Sequence, residues 1–194
     1  MYKRQFGNRI NVLMAGGAAL NLHVAKFFCG MGAPIRQAYG LTESSPVISM
    51  CEVKGNHPST VGKPLIGIEA RLGELDELQV RGPQVMKGYW NREEDTRRAF
   101  TEDGWLRTGD QADLSDGGRI RIKGRIKEII VTSVGEKVSP VDLEFAILED
   151  PLFDQVMVVG ENRPYVAALV VLNNERCLLY TSPSPETKAN LVCR

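Results

Sequence analysis

The sequence predicts a mixed fold: an α/β segment, then a β-rich segment, then part of a small α+β domain. Three observations lead to this. The first 40 residues carry a strand–helix–strand pattern. From about residue 60, Gly and Pro punctuate short stretches of alternating polarity. Beyond residue 124, a well-capped helix lies among apolar strands. We therefore divide the chain into residues 1–59, 60–123, a hinge at 124–128, and 129–175.

The first segment has the pattern of a parallel α/β unit. Residues 10–15 form a short, mostly apolar run typical of a buried parallel strand. An amphipathic helix is predicted next from the apolar positions Leu20, Val24, Phe27, Phe28 and Met31. Residues 34–39 begin the next extended stretch. Gly16, Gly17 and Ala18 would then lie beside the segment 39–43, at the carboxyl ends of neighbouring strands, where open α/β sheets bind ligands.

The second segment, residues 60–123, predicts a distorted β-barrel. Residues 78–81 and 120–123 alternate apolar with polar side chains, which is typical of half-exposed strands. One short helix is predicted between them, capped by Asn91, with Glu94 at the capping-box position. Its last turn would carry Arg97 and Arg98, which favour a helix C-terminus.

The third segment predicts a small α+β domain. Residues 127–131, 156–159 and 165–172 are strand candidates. Ser139 and Pro140 predict a helix start, because Pro is favoured at the first helical position. Residues 176–194 contain a Ser- and Pro-rich stretch, and we expect them to be disordered or foreign to the fold.

Composition narrows the function classes. The chain has 194 residues with 24 basic and 24 acidic side chains, which gives no support for a nucleic-acid partner. No apolar run is long enough to span a membrane. The four cysteines are scattered, which favours a reduced, cytoplasmic protein; peripheral association with a membrane is left open. Oligomeric state is not predicted.

The most informative motif is Tyr39-Gly40-Leu41-Thr42-Glu43. It offers an aromatic ring, a hydroxyl and a carboxylate oxygen of the kind Mg²⁺ prefers, and Gly40 allows a sharp turn or a close ligand approach. These groups suit a nucleotide. The alternative is a strand–turn–helix in which Thr42 is only an N-cap.

Two later motifs carry similar alternatives. Residues 105–110 end at Asp110, whose carboxylate could accept hydrogen bonds from two ribose hydroxyls; the alternative is a plain β-turn. Residues 123–130 include Gly124 and Arg125. They predict either a hinge with an arginine in reach of ribose or phosphate, or a solvated strand of alternating charge.

Taken together in this order and spacing, the three motifs resemble those of the AMP-forming acyl-CoA synthetases, the adenylate-forming enzyme superfamily. Supporting matches are residues 16–18, 61–64, 81–83, 86–89 and 135–140, and the resemblance covers about residues 5–172. The run Glu43-Ser44-Ser45-Pro46-Val47-Ile48-Ser49 is most similar to bacterial-type long-chain fatty acid–CoA ligases.

The resemblance implies a role for each matching residue. Tyr39 and Gly40 would lie at the adenine, and Gly16, Gly17 and Ala18 would line the nucleotide and acyl pockets. Thr42 would contact the α-phosphate, and Glu43 would hold Mg²⁺. Asp110 would bind the ribose hydroxyls with help from Arg125. Lys127 matches the hinge position, and Gly135 would approach the coenzyme A channel.

The implied reaction has two halves. A fatty acid and ATP give acyl-AMP and pyrophosphate, and coenzyme A then displaces AMP to form the thioester. Two family elements have no match here: an upstream phosphate loop and a downstream catalytic lysine. We therefore expect a fragment of a longer enzyme that is inactive by itself and exposes apolar surface.

Three alternatives remain open at the level of sequence. The parent enzyme could activate another carboxylic acid, as an aryl-CoA ligase does. It could load a carrier protein instead of coenzyme A. Alternatively, the chain could be a non-catalytic nucleotide-binding module.

Overall fold

The computed structural model of the chain describes residues 12–33, 35–52 and 57–176. The chain divides into two compact units, one ending at Lys127 and the next beginning at Glu128. This boundary falls inside the predicted hinge segment, residues 124–128. Motion about it remains a prediction.

The first unit begins with the predicted strand–helix–strand pattern. Strand β1 pairs in parallel with β2, which pairs antiparallel with β3, and β3 pairs antiparallel with β4. Residues 10 and 11 of the predicted first strand lie outside the described part of the chain. The elements are β1 Leu13–Ala15, α1 Leu22–Gly30, β2 Ile35–Tyr39, β3 Ser49–Met50 and β4 Lys63–Pro64.

Helix α1 forms where predicted, but its apolar stripe is not buried. The Asn21 side chain caps the helix by accepting hydrogen bonds from the backbone N–H groups of His23 (2.8 Å) and Val24 (3.4 Å). Val24 is 41% exposed and Phe27 is 61% exposed, and within the helix only Ala25 is buried. The expected exposure of apolar surface is therefore present on this helix.

A second, antiparallel sheet of four strands follows the first. Its order is β5-β6-β7-β8, and the two sheets are joined by backbone hydrogen bonds between Val61 and Ile120 (2.8 Å) and between Ile120 and Gly62 (2.8 Å). The result is a curled half-barrel, in agreement with the predicted distorted barrel. The elements are β5 Glu69–Leu72, β6 Glu77–Arg81, α2 Glu93–Ala99, β7 Leu106–Asp116 and β8 Arg119–Arg125.

Two details of the half-barrel differ from the sequence prediction. Strand β6 is buried on both faces from Glu77 to Val80, not half-exposed, because the curl of the sheet covers its second face. The N-cap of α2 is Arg92, whose guanidinium pairs with Asp95 (2.5 Å). Asn91 lies one residue earlier in a left-handed conformation (φ 52°), so the predicted capping box is absent from this helix.

The core of the first unit lies inside the curl. It consists of fully or nearly fully buried apolar side chains from strands of the second sheet and from the residues just before β3 and β5: Ile48, Ile68, Leu78, Val80, Leu106, Ala112 and Ile120. The apolar positions of β7 and β8 point inward in alternation, as the period of a strand requires.

Truncation of this core predicts a clear stability change. Ile120 is 0% exposed, and we expect Ile120→Ala to lower the free energy of unfolding by about 2–5 kcal/mol, through lost burial and the cavity left behind. Ile66 is fully exposed, and Ile66→Ala is the matched control with an expected change within about 0.5 kcal/mol. Urea unfolding followed by tryptophan fluorescence measures both, because Trp90 and Trp105 both lie in the first unit. Equal midpoints for the two variants would contradict the assigned core.

The second unit has the predicted α+β content. Ser139 is the N-cap of α3 and Pro140 is its first residue, as the sequence predicts. The Glu144 side chain accepts a hydrogen bond from the backbone N–H of Val158 (2.9 Å), which ties α3 to β11. The elements are β9 Ile130–Val131, β10 Lys137–Val138, α3 Pro140–Ile147, β11 Phe153–Val159 and β12 Ala167–Leu172; β9 pairs with β10 and β11 with β12, both antiparallel.

One predicted strand of this region is shorter than expected. Residues 127 and 128 belong to the 3-10 turn Ile126–Glu128, and only Ile130–Val131 is a strand. The predicted tail beyond residue 176 lies outside the described residues. Among the helices of the described part, none combines the length and apolar character needed to cross a bilayer.

Candidate active site

A large cleft in the first unit contains most of the predicted site residues. Its volume is about 1330 Å³. The walls come from the turn after β1, the segment after β2, helix α2 with the loop before it, the start of β7, and the end of β8. The predicted residues that line it are Gly16, Gly17, Tyr39, Gly40, Thr42, Glu43, Arg125 and Lys127.

The segment after β2 forms one wall through a tightly folded loop. A Cβ atom on Gly40 would lie 1.9 Å from the carbonyl oxygen of Pro46, so only glycine fits at this crossing. The backbone N–H of Ile48 donates to the carbonyl of Tyr39 (2.8 Å) and closes the loop. The loop is therefore held by contacts between its own backbone atoms, and these contacts fix the positions from which its side chains project.

Thr42 is the first residue of the 3-10 turn Thr42–Ser44, and Leu41 is the N-cap. The interpretation of Thr42 as an N-cap is therefore wrong. Buried Ser44 holds the turn instead: its hydroxyl accepts from the Leu41 N–H (3.0 Å) and donates to the Leu41 carbonyl (2.9 Å). Thr42 is exposed, and its hydroxyl makes no hydrogen bond within the described residues. That hydroxyl is available to a ligand.

Asp110 lies at the centre of the polar cluster. Its carboxylate accepts a hydrogen bond from the Tyr39 hydroxyl (2.5 Å) and pairs with the Arg125 guanidinium (3.0 Å). The Asp110 side chain is 5% exposed, whereas that of Arg125 is 56% exposed. The three motifs that were separate in sequence thus meet at one carboxylate.

The same surroundings raise the pKa of the Tyr39 phenol. Burial of the phenol raises its pKa far above the ordinary value, and the negative charge of Asp110 raises the pKa further. The phenol therefore stays neutral and acts as a hydrogen-bond donor to the carboxylate. Its ring remains as an apolar wall of the cleft.

A bulge in β7 places Asp110. Residues 107 and 111 pair with residues 79 and 77 of β6, so β7 carries extra residues between two paired positions. Gly109 within this bulge is left-handed (φ 71°), and the Thr108 hydroxyl donates to the Leu78 carbonyl (2.7 Å). Bulges commonly redirect side chains beside active sites. Asp110 thus belongs to a bulged strand, and the plain β-turn interpretation is wrong.

The third motif has features of both of its interpretations. Gly124 and Arg125 end β8, a strand of alternating burial, and Arg125 lies directly opposite Asp110 in the β7–β8 register. The solvated-strand interpretation therefore describes β8 itself, while its last residue reaches the cleft.

Glu43 carries a carboxylate that fits a divalent cation. Its Oε1 atom accepts a hydrogen bond from the Tyr89 hydroxyl (2.7 Å), which raises the pKa of the Tyr89 phenol. Its second oxygen makes no bond within the described residues. Those residues contain no cluster of three or more His, Cys, Asp or Glu side chains suited to a metal. Mg²⁺ is commonly held by one or two carboxylates together with substrate phosphates, and Glu43 fits that pattern.

Three predicted site residues do not line the cleft. Asp110 is buried behind the lining residues Tyr39 and Arg125, which it contacts directly. Ala18 follows Gly16 and Gly17 in the same turn but does not line the cleft. Gly135 belongs to the second unit, where it forms the left-handed position (φ 84°) of the turn between β9 and β10. Its predicted part in a coenzyme A channel stays a prediction.

Sequence reasoning missed several polar residues of the cleft. Helix α2 and the residue before it contribute Arg92, Asp95 and Arg98, and the second sheet contributes Glu77 and Arg107. The spacing of 92, 95 and 98 places these side chains on one helix face, which was a usable signal. Glu77 and Arg107 carried no such signal, because their position depends on the curl of the sheet.

Comparison with known proteins identifies the family that the chain resembles. The family model for AMP-binding enzymes matches residues 1–90. The family model for the AMP-binding enzyme C-terminal domain matches residues 127–183.

Two of the curated relatives that the chain matches are named as long-chain fatty-acid ligases. The chain is 39% identical over 169 residues to the long-chain-fatty-acid–CoA ligase FadD15 of Mycobacterium bovis. It is 33% identical over 201 residues to the chloroplastic long-chain-fatty-acid–[acyl-carrier-protein] ligase AEE15 of Arabidopsis thaliana. The matches cover 87% and 92% of this chain but only 28% of each relative, so the chain spans just over a quarter of their length.

Two similar solved structures contain ATP or an acyl-adenylate. ATP-bound MatB from Rhodopseudomonas palustris superposes with a TM-score of 0.77 at 27% identity, covering 87% of this chain and 37% of that one. The o-succinylbenzoate CoA synthetase MenE of Bacillus subtilis, in complex with its acyl-adenylate intermediate, gives 0.78 at 26% identity, covering 89% and 39%.

Proposed function

Because the chain belongs to the AMP-binding enzyme family, the AMP-forming acyl-CoA synthetases, we propose that its cleft binds the adenylate of a fatty acid–CoA ligase. One observation carries the proposal. Tyr39, Asp110 and Arg125, from three distant parts of the sequence, form one connected cluster, and its members Tyr39 and Arg125 line the same cleft as Thr42 and Glu43.

Each contact supports a role in nucleotide binding. The Tyr39 ring provides a flat wall for adenine, since its hydroxyl is fixed by Asp110. The Asp110 carboxylate accepts hydrogen bonds from the two ribose hydroxyls, and the exposed Arg125 guanidinium donates to ribose or phosphate oxygens. The Thr42 hydroxyl donates to the α-phosphate. Ala18 is proposed beside the acyl pocket.

The proposed reaction places charge stabilisation at this cleft. In the first half, a carboxylate oxygen of the fatty acid bonds to the α-phosphorus of ATP, and pyrophosphate leaves with the electrons of the broken P–O bond. In the second half, the thiol sulfur of coenzyme A bonds to the acyl carbon, its proton is lost, and AMP leaves. Thr42 and Arg125 supply fixed donors for the charge that develops on the phosphate. Mg²⁺ held by Glu43 would add neutralisation of phosphate charge.

The conformational part of the proposal concerns Lys127 and Gly135. Lys127 is the last residue of the first unit and lines the cleft, so rotation about it would exchange the groups presented to the adenylate. The Gly135 turn of the second unit would approach coenzyme A in the second half-reaction.

The proposed carboxylic-acid substrate and the proposed acyl acceptor are inferred from the similar proteins. Because the chain spans just over a quarter of the curated fatty-acid ligases, the two-step reaction is proposed for an enzyme of their length. A second candidate, loading of an acyl carrier protein, is favoured by the similarity to the Arabidopsis ligase. Another carboxylic acid as substrate is favoured by the structural similarity to MenE.

Isothermal titration of the 194-residue chain with AMP, and with a non-hydrolysable acyl-sulfamoyl adenosine, tests the proposed site. We expect saturable one-to-one binding of both, because the ribose and adenine contacts are shared. The control nucleotide is 2′,3′-dideoxyadenosine monophosphate, which lacks the hydroxyls that Asp110 would bind. We expect its affinity to be lower than that of AMP by about ten-fold or more. A folded chain that binds none of these ligands, or that does not distinguish AMP from the dideoxy control, would contradict the proposal.

A further inference from the structure

The loop before α2 holds Glu43 at two points. The Tyr89 hydroxyl donates to Glu43 Oε1 (2.7 Å), and the backbone N–H of Met86 donates to the Glu43 carbonyl (2.7 Å). These residues are more than forty positions apart in sequence, so the contact belongs to the tertiary structure. The Glu43 carboxylate is thereby fixed through one of its oxygens, while the other stays available.

Tyr89 is itself held firmly by α2. Its backbone N–H donates to the Thr96 hydroxyl (2.8 Å), and that hydroxyl donates to the Arg92 carbonyl (2.9 Å). Gly88 allows this approach: its φ is 149°, and a Cβ atom there would lie 2.7 Å from Thr96 Cγ2. The hydrogen-bond chain from α2 through Tyr89 to Glu43 is continuous.

We propose that Tyr89 is a positioning residue that orients the Glu43 carboxylate for a divalent cation. This inference rests on the proposed function, because it assigns the cation to the nucleotide cleft. A hydrogen bond to the first oxygen restricts rotation of the carboxylate, so the second oxygen needs little reorganisation to bind a metal. Partners that orient metal ligands in this way commonly change metal affinity by about 10- to 100-fold when removed.

The test uses Tyr89→Phe in the 194-residue chain and Mn²⁺ as the metal probe. Mn²⁺ suits the same oxygen ligands as Mg²⁺, and its free concentration is read by electron paramagnetic resonance. We expect Mn²⁺ affinity of the AMP-saturated chain to fall about 10-fold in Tyr89→Phe. AMP affinity measured in EDTA should stay unchanged, because the variant keeps the ring and removes only the hydroxyl.

Matched variants separate positioning from general damage. Tyr165→Phe removes a hydroxyl from an exposed tyrosine of the second unit and should leave Mn²⁺ affinity unchanged. Thr96→Val removes the acceptor for the Tyr89 N–H and should weaken Mn²⁺ binding in the same direction, whereas Thr96→Ser keeps the hydroxyl and should preserve it.

The outcomes distinguish this inference from the proposed function. AMP binding with equal Mn²⁺ affinity in the wild type and in Tyr89→Phe would overturn the positioning role alone. AMP binding by a wild-type chain whose Mn²⁺ affinity does not exceed that of free AMP would do the same. Failure of the wild-type chain to bind AMP would overturn the proposed function and this inference with it.

Discussion

Asp110→Asn is expected to weaken AMP binding to the 194-residue chain by about 10- to 100-fold. The reason is the loss of a buried negative charge that is proposed to accept hydrogen bonds from the ribose, and bonds to charged groups contribute about 1.5–3 kcal/mol each. The amide keeps the size of the side chain and an oxygen acceptor for the Tyr39 hydroxyl, so the fold should be retained. Isothermal titration with AMP measures the change.

The matched control for this variant lies on the same strand. Asp113→Asn makes the same chemical change in β7, and its side-chain oxygen can still accept the Ser115 N–H (2.7 Å). We expect unchanged AMP affinity for Asp113→Asn. Equal affinities for the Asp110 and Asp113 variants, with unchanged tryptophan emission in both, would exclude Asp110 as the ribose-binding carboxylate.

Gly40→Ala is expected to lower the free energy of unfolding of the first unit by about 3 kcal/mol or more, and to abolish AMP binding. The added methyl group would lie 1.9 Å from the Pro46 carbonyl oxygen and 2.8 Å from the Val47 Cα atom. Backbone atoms on both sides must move, and the loop that presents Thr42 and Glu43 moves with them. Urea unfolding followed by tryptophan fluorescence, together with AMP titration, measures both effects.

Gly30→Ala is the control for added volume at a glycine. It lies at the last residue of α1, and a Cβ atom there would meet nothing within 4 Å. Alanine favours helix by up to about 1 kcal/mol over glycine, so we expect equal or slightly greater stability and unchanged AMP binding. A Gly40→Ala protein that unfolds and binds AMP like wild type would show that the loop does not pass as closely as described.

Local patterns in the sequence predicted most elements of the fold. The β1–α1–β2 unit, the alternating strand β8, and the start of α3 at Ser139 and Pro140 all follow from short-range signals. Burial was harder to predict. The α1 stripe looked like a core face, yet Phe27 is largely exposed, and β6 looked half-exposed, yet Glu77 to Val80 are buried. Both depend on what packs against the element, which periodicity does not contain.

The candidate site shows the same division between local and tertiary information. The chemistry of the motif side chains pointed to Tyr39, Glu43, Asp110 and Arg125. The family resemblance gave each of them an expected role. The meeting of Tyr39 and Arg125 at the Asp110 carboxylate depends on the β7 bulge and the β7–β8 register, which no short motif encodes. The contact from Tyr89 to Glu43 was missed for this reason, although the segment 86–89 stood out as a match.

The central claim is that three separated motifs enclose one adenylate site. Backbone amide chemical shifts of the ¹⁵N-labelled chain, recorded during titration with AMP, test it most directly. The account predicts that the largest shifts fall on residues 39–43, 107–110 and 124–127, with one common dissociation constant. Largest shifts in β11 and β12 of the second unit, or shifts confined to a single one of the three motifs, would contradict it.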